Sequence, residues 1–234
     1  MNVYALSDLH LSYETNKPMD VFGEKWENYE DKIKENWNNL VSNEDVVIIA
    51  GDISWAMNLN ETKKDFEYIG SLNGKKIMIR GNHDYWWKAI SSVRDAVPNS
   101  IFAIQNDAIK IDNFIFCGTR GWLVPERGKE LSAEDKKIYD RELLRLEMSI
   151  LRAKAMQNED DKIICVLHFP PFNSELQENE FTALIEKYNI GIVVYGHLHG
   201  KIKYPTSLIE KNGVKYYLSS CDKIGFKPLF IDKN

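Results

Sequence analysis

The segment Ile77-Met78-Ile79-Arg80-Gly81-Asn82-His83-Asp84 joins a short aliphatic run to a glycine and three side chains that bind metals or move protons. The aliphatic run has the continuous hydrophobicity of a parallel strand buried on both faces. The glycine permits a sharp turn where that strand ends. The segment therefore predicts a buried strand with a cluster of chemically active side chains at its carboxyl end.

Four other apolar runs lead into aspartate or histidine in the same way. They are Val3–Leu6 before Asp8-Leu9-His10, Val46–Ala50 before Gly51-Asp52, Ile163–Leu167 before His168, and Ile190–Tyr195 before Gly196-His197-Leu198-His199. In open α/β sheets, ligands bind outside the carboxyl ends of the strands. Five such ends lying side by side would bring the clusters together. All five histidines of the chain belong to these clusters, which favours a metal-dependent catalytic site.

Helical patterns separate these strands, with apolar residues recurring at intervals of three and four. Helices are predicted at about 26–40, 66–72, 85–96, 132–157 and 181–188. The longest begins at Ser132, a residue suited to cap it, and ends at Gln157. Its predicted apolar stripe consists of Leu144, Met148, Leu151 and Ala155. We favour a plain crossover helix here, and the alternative is a helical insertion at 131–158 that shapes the site.

Two later stretches predict antiparallel pairs of strands. One covers 109–116, and the other covers 208–216 around Asn212-Gly213, a sequence typical of tight hairpins. A final strand is expected at 228–231. Together these patterns predict one α/β domain spanning residues 1–234, with parallel strands and helices early and antiparallel additions later.

Composition limits the classes of function. The net charge of the 234 residues is −5, and the lysines and arginines are scattered, so an extended nucleic-acid surface is not supported. A nuclease site stays open, because metals supply their own positive charge. The chain begins without a signal-peptide pattern, and its apolar runs are too short to span a bilayer. We therefore expect a cytoplasmic protein with no membrane partner, whose Cys117, Cys165 and Cys221 are buried free thiols.

The five clusters, in this order, resemble the motifs of the calcineurin-like metallophosphoesterases. The match spans residues 8 to 199, and GNHD together with GHxH makes it specific. The resemblance implies an α/β fold of two packed mixed β-sheets flanked by helices in four layers, with a dinuclear metal centre. By motif position, it implies one metal held by Asp8, His10 and His199, a second held by Asn82, His168 and His197, Asp52 bridging both, and His83 as general acid held by Asp84.

The chemistry of these side chains agrees with that expectation. Imidazole, carboxylate and amide ligands together suit manganese, iron, zinc or nickel better than magnesium or calcium. Two divalent cations can activate water and clamp the attacking and leaving oxygens of an in-line displacement. We therefore expect hydrolysis of a phosphate monoester or diester by a metal-bound hydroxide, with His83 protonating the departing oxygen.

The sequence narrows the substrate only in part. Serine/threonine phosphatases of this family carry an arginine shortly after the Gly-Asp motif, where this chain has Ser54-Trp55-Ala56. A small phosphate ester, hydrolysed by a phosphodiesterase or a nucleotide phosphatase, is therefore favoured over a phosphoprotein. The alternatives are a nuclease of the same superfamily and a non-catalytic scaffold that binds a protein partner.

Four further residues are candidates for binding the substrate. Trp55, Trp86 and Trp122 follow the motifs or a predicted strand, and they either wall a pocket for an aromatic or nucleoside group or pack beneath the site. Arg120 either grips a phosphate oxygen or forms a salt bridge.

Overall fold

The computed structural model describes residues 1–200 and 207–234, and the elements below are those within these two ranges. The strands are β1 (Asn2–Ala5), β2 (Val46–Ile49), β3 (Lys75–Met78), β4 (Ile101–Ala103), β5 (Ala108–Ile111), β6 (Phe114–Thr119), β7 (Lys162–Leu167), β8 (Ile192–Tyr195), β9 (Leu208–Lys211), β10 (Val214–Leu218) and β11 (Leu229–Lys233). The α-helices are α1 (Tyr29–Leu40), α2 (Lys63–Ser71), α3 (Ile90–Ala96), α4 (Ala133–Met156) and α5 (Glu180–Lys187).

The strands form two mixed sheets. The first has the order β11-β1-β2-β3-β4, in which β1 to β4 are parallel and β11 runs antiparallel beside β1. The second has the order β5-β6-β7-β8-β10-β9, with parallel central strands and antiparallel edge strands. The α/β sandwich of two packed sheets with flanking helices, expected from the sequence, is confirmed.

Three hydrophobic clusters fill the spaces between the four layers. The first joins Trp37 of α1 to Ile49 of β2, and the second joins Ile48 of β2 to Ile164 of β7. The third joins Cys165 of β7 to α4 and α5. Neighbouring residues of one strand thus belong to different clusters, because successive side chains of a strand point to opposite faces. Burial on both faces explains why the central strands read as continuous apolar runs.

The predicted strands correspond to observed ones with ends shifted by up to three residues, and β4 was not predicted. The predicted helix at 85–96 is wrong in its first half, because α3 begins at Ile90. Residues 85–89 instead form a loop in which Trp86 and Trp87 turn into the core. The indole of Trp86 donates a hydrogen bond to Asp84 Oδ1 at 3.1 Å, and this contact competes with a helical turn there.

The structure places α4 between β6 and β7, which pair in parallel, so this helix is a crossover connection. Ser132 caps it by accepting a hydrogen bond from the backbone N–H of Asp135. The predicted apolar stripe is wrong: Leu144 and Met148 are 64% and 58% exposed. The buried side instead carries Tyr139, Glu142, Leu146, Ser149, Ile150 and Ala153.

Polar residues on the buried side of α4 explain this error. Ser149 accepts a hydrogen bond from the backbone N–H of Gly118 in β6, and the hydroxyl of Thr119 donates to Glu142. The side that faces the sheet therefore carries two hydrogen-bonded polar residues among its apolar ones, which hydrophobic periodicity does not anticipate. Within the described ranges, no helix has an apolar stretch of the length needed to cross a bilayer.

Candidate metal centre

The two sheets bring the ends of their central strands to one place. Asp8, Asp52 and Asn82 follow β1, β2 and β3 of the first sheet. His168 and His197 follow β7 and β8 of the second sheet. These are the positions at which α/β sheets bind ligands. The tertiary structure thus gathers side chains that lie up to nearly two hundred residues apart in the sequence.

One group of three side chains comprises Asp8, His10 and His199, whose ligand atoms all lie within 4.8 Å of one another. The Nε2 atoms of His10 and His199 are 3.2 Å apart, and His199 Nε2 is 3.3 Å from Asp8 Oδ1. Asp8 is fully buried, and its second oxygen accepts a hydrogen bond from the hydroxyl of Ser220. Two imidazole nitrogens and a carboxylate oxygen therefore face a common point.

A second group comprises Asp52, His168 and His197, again with ligand atoms within 4.8 Å of one another. Asn82 lies beside this group, with its Oδ1 at 2.7 Å from His168 Nε2 and 2.8 Å from His197 Nδ1. The carboxylate of Asp52 faces both groups: one oxygen is 3.5 Å from His168 Nε2, and the other is 3.8 Å from His10 Nε2. The fold thus brings together the side chains that the sequence analysis named as candidate ligands.

The hydrogen bonds of two rings test whether cations fit here. His168 Nδ1 lies 2.8 Å from the carbonyl of Ala50, and His199 Nδ1 lies 2.7 Å from Asp222 Oδ1. Because both partners are acceptors, both Nδ1 atoms are donors, and the Nε2 atoms of neutral rings carry lone pairs. The lone pair of His168 Nε2 faces Asn82 Oδ1, which is also an acceptor, at 2.7 Å. Two acceptor atoms that point toward each other can both bind one cation. The residues present therefore fit divalent transition metals.

Comparison with known proteins agrees with this geometry. A sequence model described as calcineurin-like phosphoesterase matches residues 1–201. The chain belongs to the calcineurin-like phosphoesterase family. An uncharacterized protein of Methanocaldococcus jannaschii is 33% identical over 87 residues, a match that covers 35% of this chain and 46% of that relative. The matched region thus spans less than half of that relative's length.

A solved structure extends the comparison to nearly the whole fold. It is the crystal structure of a protein of unknown function from Aquifex aeolicus, with a TM-score of 0.51 and 15% sequence identity. The alignment covers 98% of this chain and 95% of the other. At that identity the likeness supports the fold alone.

His83, the residue of the calcineurin-like GNHD motif expected to act as an acid, lies beside the first ligand group. Its ring centroid is 5.7 Å from that of His10 and 4.6 Å from that of Trp55. Its backbone N–H donates to Asp52 Oδ1 at 2.8 Å. Burial lowers the pKa of His83, and the other imidazoles act in the same direction. Among the described residues its buried Nδ1 has no hydrogen-bond partner, so none of them holds that nitrogen.

The expected role of Asp84 in holding His83 is corrected by the structure. The fully buried carboxylate accepts backbone N–H bonds from Gly81, Ile53 and Ser54. Its fourth bond comes from the indole of Trp86. Asp84 therefore joins the loop after β2 to the loop after β3. It fixes the backbone that carries Asp52, rather than the ring of His83.

Electrostatics within the centre follow from burial and crowding. Burial raises the pKa of Asp52, and the nearby Asp8 carboxylate raises it further. Burial also opposes ionisation of Asp8, but hydrogen bonding to His199 and the surrounding imidazoles lower its pKa overall. Burial acts against a charged His199, yet the hydrogen bonds to Asp222 and Asp8 raise its pKa to about 10. Without cations, the centre therefore holds protons between its ligands.

Glycines allow the loops to approach this closely. A Cβ atom at Gly81 would lie 2.1 Å from Asp52 Oδ1 and 2.2 Å from the Asp52 nitrogen. A Cβ atom at Gly196 would lie 2.3 Å from Asp8 Oδ2. Real Cβ atoms do not approach other atoms so closely. Each glycine thus leaves room for a carboxylate contributed by another loop.

The candidate substrate-binding residues divide among three locations. Trp55 lines a cavity of about 370 Å³ beside the centre, together with His10, His83 and His199. Trp86 is fully buried and packs edge-on against Phe66 of α2, so the expectation that it contacts substrate is corrected to a core role.

Trp122 and Arg120 lie away from that cavity. Trp122 is half-buried, its ring is tilted against that of Phe169 with centroids 5.0 Å apart, and its indole donates a hydrogen bond to Asp135. The Arg120 guanidinium lies 4.5 Å from the ring of Trp122 and 3.9 Å from Glu142. Arg120 thus contacts an acid and an aromatic ring, and it lines a different cavity.

Two residues at the centre were not predicted from the sequence. Asp222, which binds His199, follows β10, so the rule of strand ends could have identified it. Trp26 lines the same cavity as Trp55, and its ring centroid is 6.1 Å from that of His199. Its position on an apolar helical stripe gave no sign of this, because core and pocket aromatic residues share the same periodicity.

Proposed function

We propose that the protein is a dinuclear-metal phosphoesterase that hydrolyses a small phosphate monoester or diester carrying an aromatic or nucleoside group. The observation that carries the proposal is the position of His83. Its imidazole lines a cavity whose other walls include Trp26 and Trp55, and this cavity adjoins His10 and His199 of the first ligand group.

The proposed ligands form two groups, one for each cation. Asp8, His10 and His199 would hold one divalent cation, and Asn82, His168 and His197 would hold the other, with Asp52 between them. When bound, such cations lower the pKa of water and offset the charge of a phosphate ester. Asp222 orients His199 through its Nδ1, which directs Nε2 toward the site.

His83 supplies the proton for the departing oxygen. An alkoxide is a poor leaving group unless it is protonated as its bond to phosphorus breaks. The imidazole is half-buried and has a depressed pKa, so in its protonated form it is a stronger acid than free histidine. Its buried Nδ1 has no hydrogen-bond partner among the described residues.

The walls of the cavity favour a flat, apolar leaving group. Met19, Trp26 and Trp55 contribute apolar surface, and Trp55 also stacks on His10 with ring planes 23° apart. Aromatic side chains bind bases and other flat rings by stacking. A cavity of about 370 Å³ is of the size that accepts a small ligand.

The decisive experiment is a screen of purified, manganese-loaded protein against matched monoesters and diesters with aromatic, nucleoside and aliphatic leaving groups, including cyclic nucleotides. We expect turnover with a preference for the aromatic and nucleoside compounds. Trp55→Leu should raise KM for those compounds by roughly tenfold, since stacking contributes about 1–3 kcal/mol per base.

Trp122→Leu is the matched control, because Trp122 does not line that cavity. It should leave KM near the wild-type value. Absence of turnover on every ester, with both metals bound, would overturn the proposal and favour a scaffold that binds a protein partner.

A further inference from the structure

A second cavity, which we call the arginine cavity, lies next to the metal centre and shares none of its ligands. Its volume is about 310 Å³, and it is bounded by the ends of β3, β4 and β6 and by one face of α4. Its charged lining residues are Arg80, Lys88, Arg120, Arg141, Glu142 and Arg145.

Positive charge dominates this cavity, because five cations face a single carboxylate. Glu142 is 1% exposed, and it is already engaged by the hydroxyl of Thr119 and by Arg145, whose Nη1 lies 2.7 Å away. Arg120 and Arg141 are 3.9 Å and 3.8 Å from the same carboxylate oxygen, beyond hydrogen-bond distance. One carboxylate can therefore neutralise only one of the five positive charges that line the cavity.

Two observations indicate that the cavity suits a ligand with negative charge. The buried Nε of Arg80 has no hydrogen-bond partner among the described residues, although unpaired buried donors are rare in folded proteins. Burial lowers the pKa of Arg120; Glu142 acts against this, and the nearby Arg80, Arg141 and Arg145 act with it. Cations that disfavour one another in a partly buried space are stabilised by an anion with several acceptor oxygens.

The backbone connects this cavity to the centre. Arg80 lies two residues before Asn82, and the carbonyl of Arg120 accepts N–H bonds from His168 at 3.1 Å and Phe169 at 2.9 Å. An anion in the arginine cavity would therefore contact residues whose backbones carry two of the proposed metal ligands.

We propose that the arginine cavity is a binding site for a phosphate group distinct from the one that is hydrolysed. Arginine forms paired hydrogen bonds with phosphate oxygens, and the cavity has room for one phosphate group and part of the molecule that carries it. The group belongs either to a second position of the substrate or to a free phosphate compound. Its binding does not require that the metal centre be active.

The test is a calorimetric titration of the manganese-loaded, 234-residue protein with inorganic phosphate. The wild-type protein should bind two phosphates, one at each site. Lys88→Gln combined with Arg141→Gln should weaken the binding of one of them by at least about tenfold, since charge-assisted hydrogen bonds are lost. The matched control combines Lys137→Gln with Arg152→Gln, which removes one lysine and one arginine charge at exposed positions of α4.

The control double variant should bind both phosphates as the wild type does. Equal weakening in both double variants would show that net charge alone attracts phosphate, and it would overturn the proposal. Binding of a single phosphate by the wild type, unaffected by the cavity substitutions, would overturn it as well. These outcomes are independent of turnover, so they are distinguishable from failure of the proposed esterase activity.

Kinetics separate the two sources of the phosphate group. If the group belongs to the substrate, the cavity variant should raise KM at least about tenfold for esters with a second phosphate and leave singly phosphorylated esters unchanged. If the group is a free phosphate compound, KM should stay unchanged for both classes of ester, while the calorimetric titration still records weaker binding of phosphate. Either pattern supports the site.

Discussion

Four of the proposed ligands have backbones in the left-handed region. The φ angles of Asp8, His10, Asp52 and His197 are 58°, 47°, 51° and 70°. In this conformation a residue with a side chain destabilises the fold by about 1–2 kcal/mol, whereas glycine would not. Glycine carries no metal ligand, so these positions hold a strained residue that the surrounding hydrogen bonds maintain. Such strain is typical of functional sites.

The role assigned to His83 predicts a specific kinetic defect. His83→Ala should lower turnover by roughly 10²–10⁴-fold, because general acid catalysis contributes about that much. Metal content should stay at the wild-type value, since His83 belongs to neither group of ligands. Turnover and metal analysis on the same preparation check both points. Wild-type turnover in the metal-loaded variant would show that another group protonates the leaving oxygen.

The hydrogen bond between Asp222 and His199 predicts a loss of metal affinity. Asp222→Asn should weaken manganese binding at the group of Asp8, His10 and His199 by roughly 10–100-fold, as is usual for carboxylates that orient a histidine ligand. Titration with manganese measures this affinity. Asp232→Asn, a change on the edge strand β11, is the matched control. Equal affinities in the two variants would contradict the orienting role.

At the scale of residues, the sequence predicted which side chains converge at the centre better than it predicted the groups that support them. Asp8, Asn82 and the histidines could be recognised because they belong to short motifs at strand ends. The clamp formed by Asp84 could not be recognised, since its partners are backbone N–H groups of another loop. A carboxylate that binds backbone has the same sequence signature as one that binds histidine.

The corrected orientation of α4 makes a prediction at the scale of elements. Leu146→Ala should lower the free energy of unfolding by about 2–5 kcal/mol, because this side chain is fully buried in the cluster between α4 and its sheet. Leu144→Ala, two residues away, should change it by less than about 1 kcal/mol, since that side chain is 64% exposed. Urea denaturation of both variants measures the difference. A larger loss for Leu144→Ala would reverse the assignment of the faces.

Strand β3 contains a buried lysine, and its titration predicts that the stability of the fold depends on pH. Burial lowers the pKa of Lys76 from 10.5 to about 8, and its ammonium group donates to the carbonyl of Leu72. The unfolded chain therefore binds this proton more tightly. The stability of the wild type should fall as pH drops from about 10.5 to 8 and then level off.

The variant Lys76→Met removes this titration. As the pH falls from 10.5 to 7, the free energy of unfolding of this variant should rise by about 2–3 kcal/mol relative to that of the wild type. Lys75→Met, at the half-buried neighbouring position of β3, is the control for loss of one charge. Denaturation curves at several pH values measure the effect. A difference between Lys76→Met and wild type that does not vary with pH would contradict it.

Strands and helices could be predicted from the sequence where one hydrophobic pattern determines them. The central strands are buried on both faces, so their hydrophobic runs predicted them well. Strand β4 has three residues and lies at the edge of its sheet, and it is too short to give a pattern. The loop before α3 depends on contacts of Trp86 with Asp84 and the core, which are tertiary and therefore outside the reach of periodicity.

At the scale of the molecule, both ligand groups connect the two sheets. Each includes residues from the first sheet and from the second, so bound cations would link the two halves of the fold. Manganese at about 100 times its Kd should raise the Tm by roughly 5–10 °C for each site, because a ligand that binds only the folded state stabilises it by about 2.7 kcal/mol. Differential scanning calorimetry with and without chelator measures the shift.

Two variants control this experiment. Asp52→Asn should remove most of the shift, because Asp52 faces both groups. Asp160→Asn, at an exposed position before β7, should retain it. An undiminished shift in Asp52→Asn would mean that manganese stabilises the protein from elsewhere.

Every histidine of this chain lies in the centre or beside it, and this gives the protein a built-in spectroscopic reporter. The five imidazoles produce the only histidine ring signals in a proton NMR spectrum of the chain. A paramagnetic ion such as manganese should broaden all of them together, whereas diamagnetic zinc should shift them and leave them sharp. Occupancy of the centre can thus be followed in solution without a label.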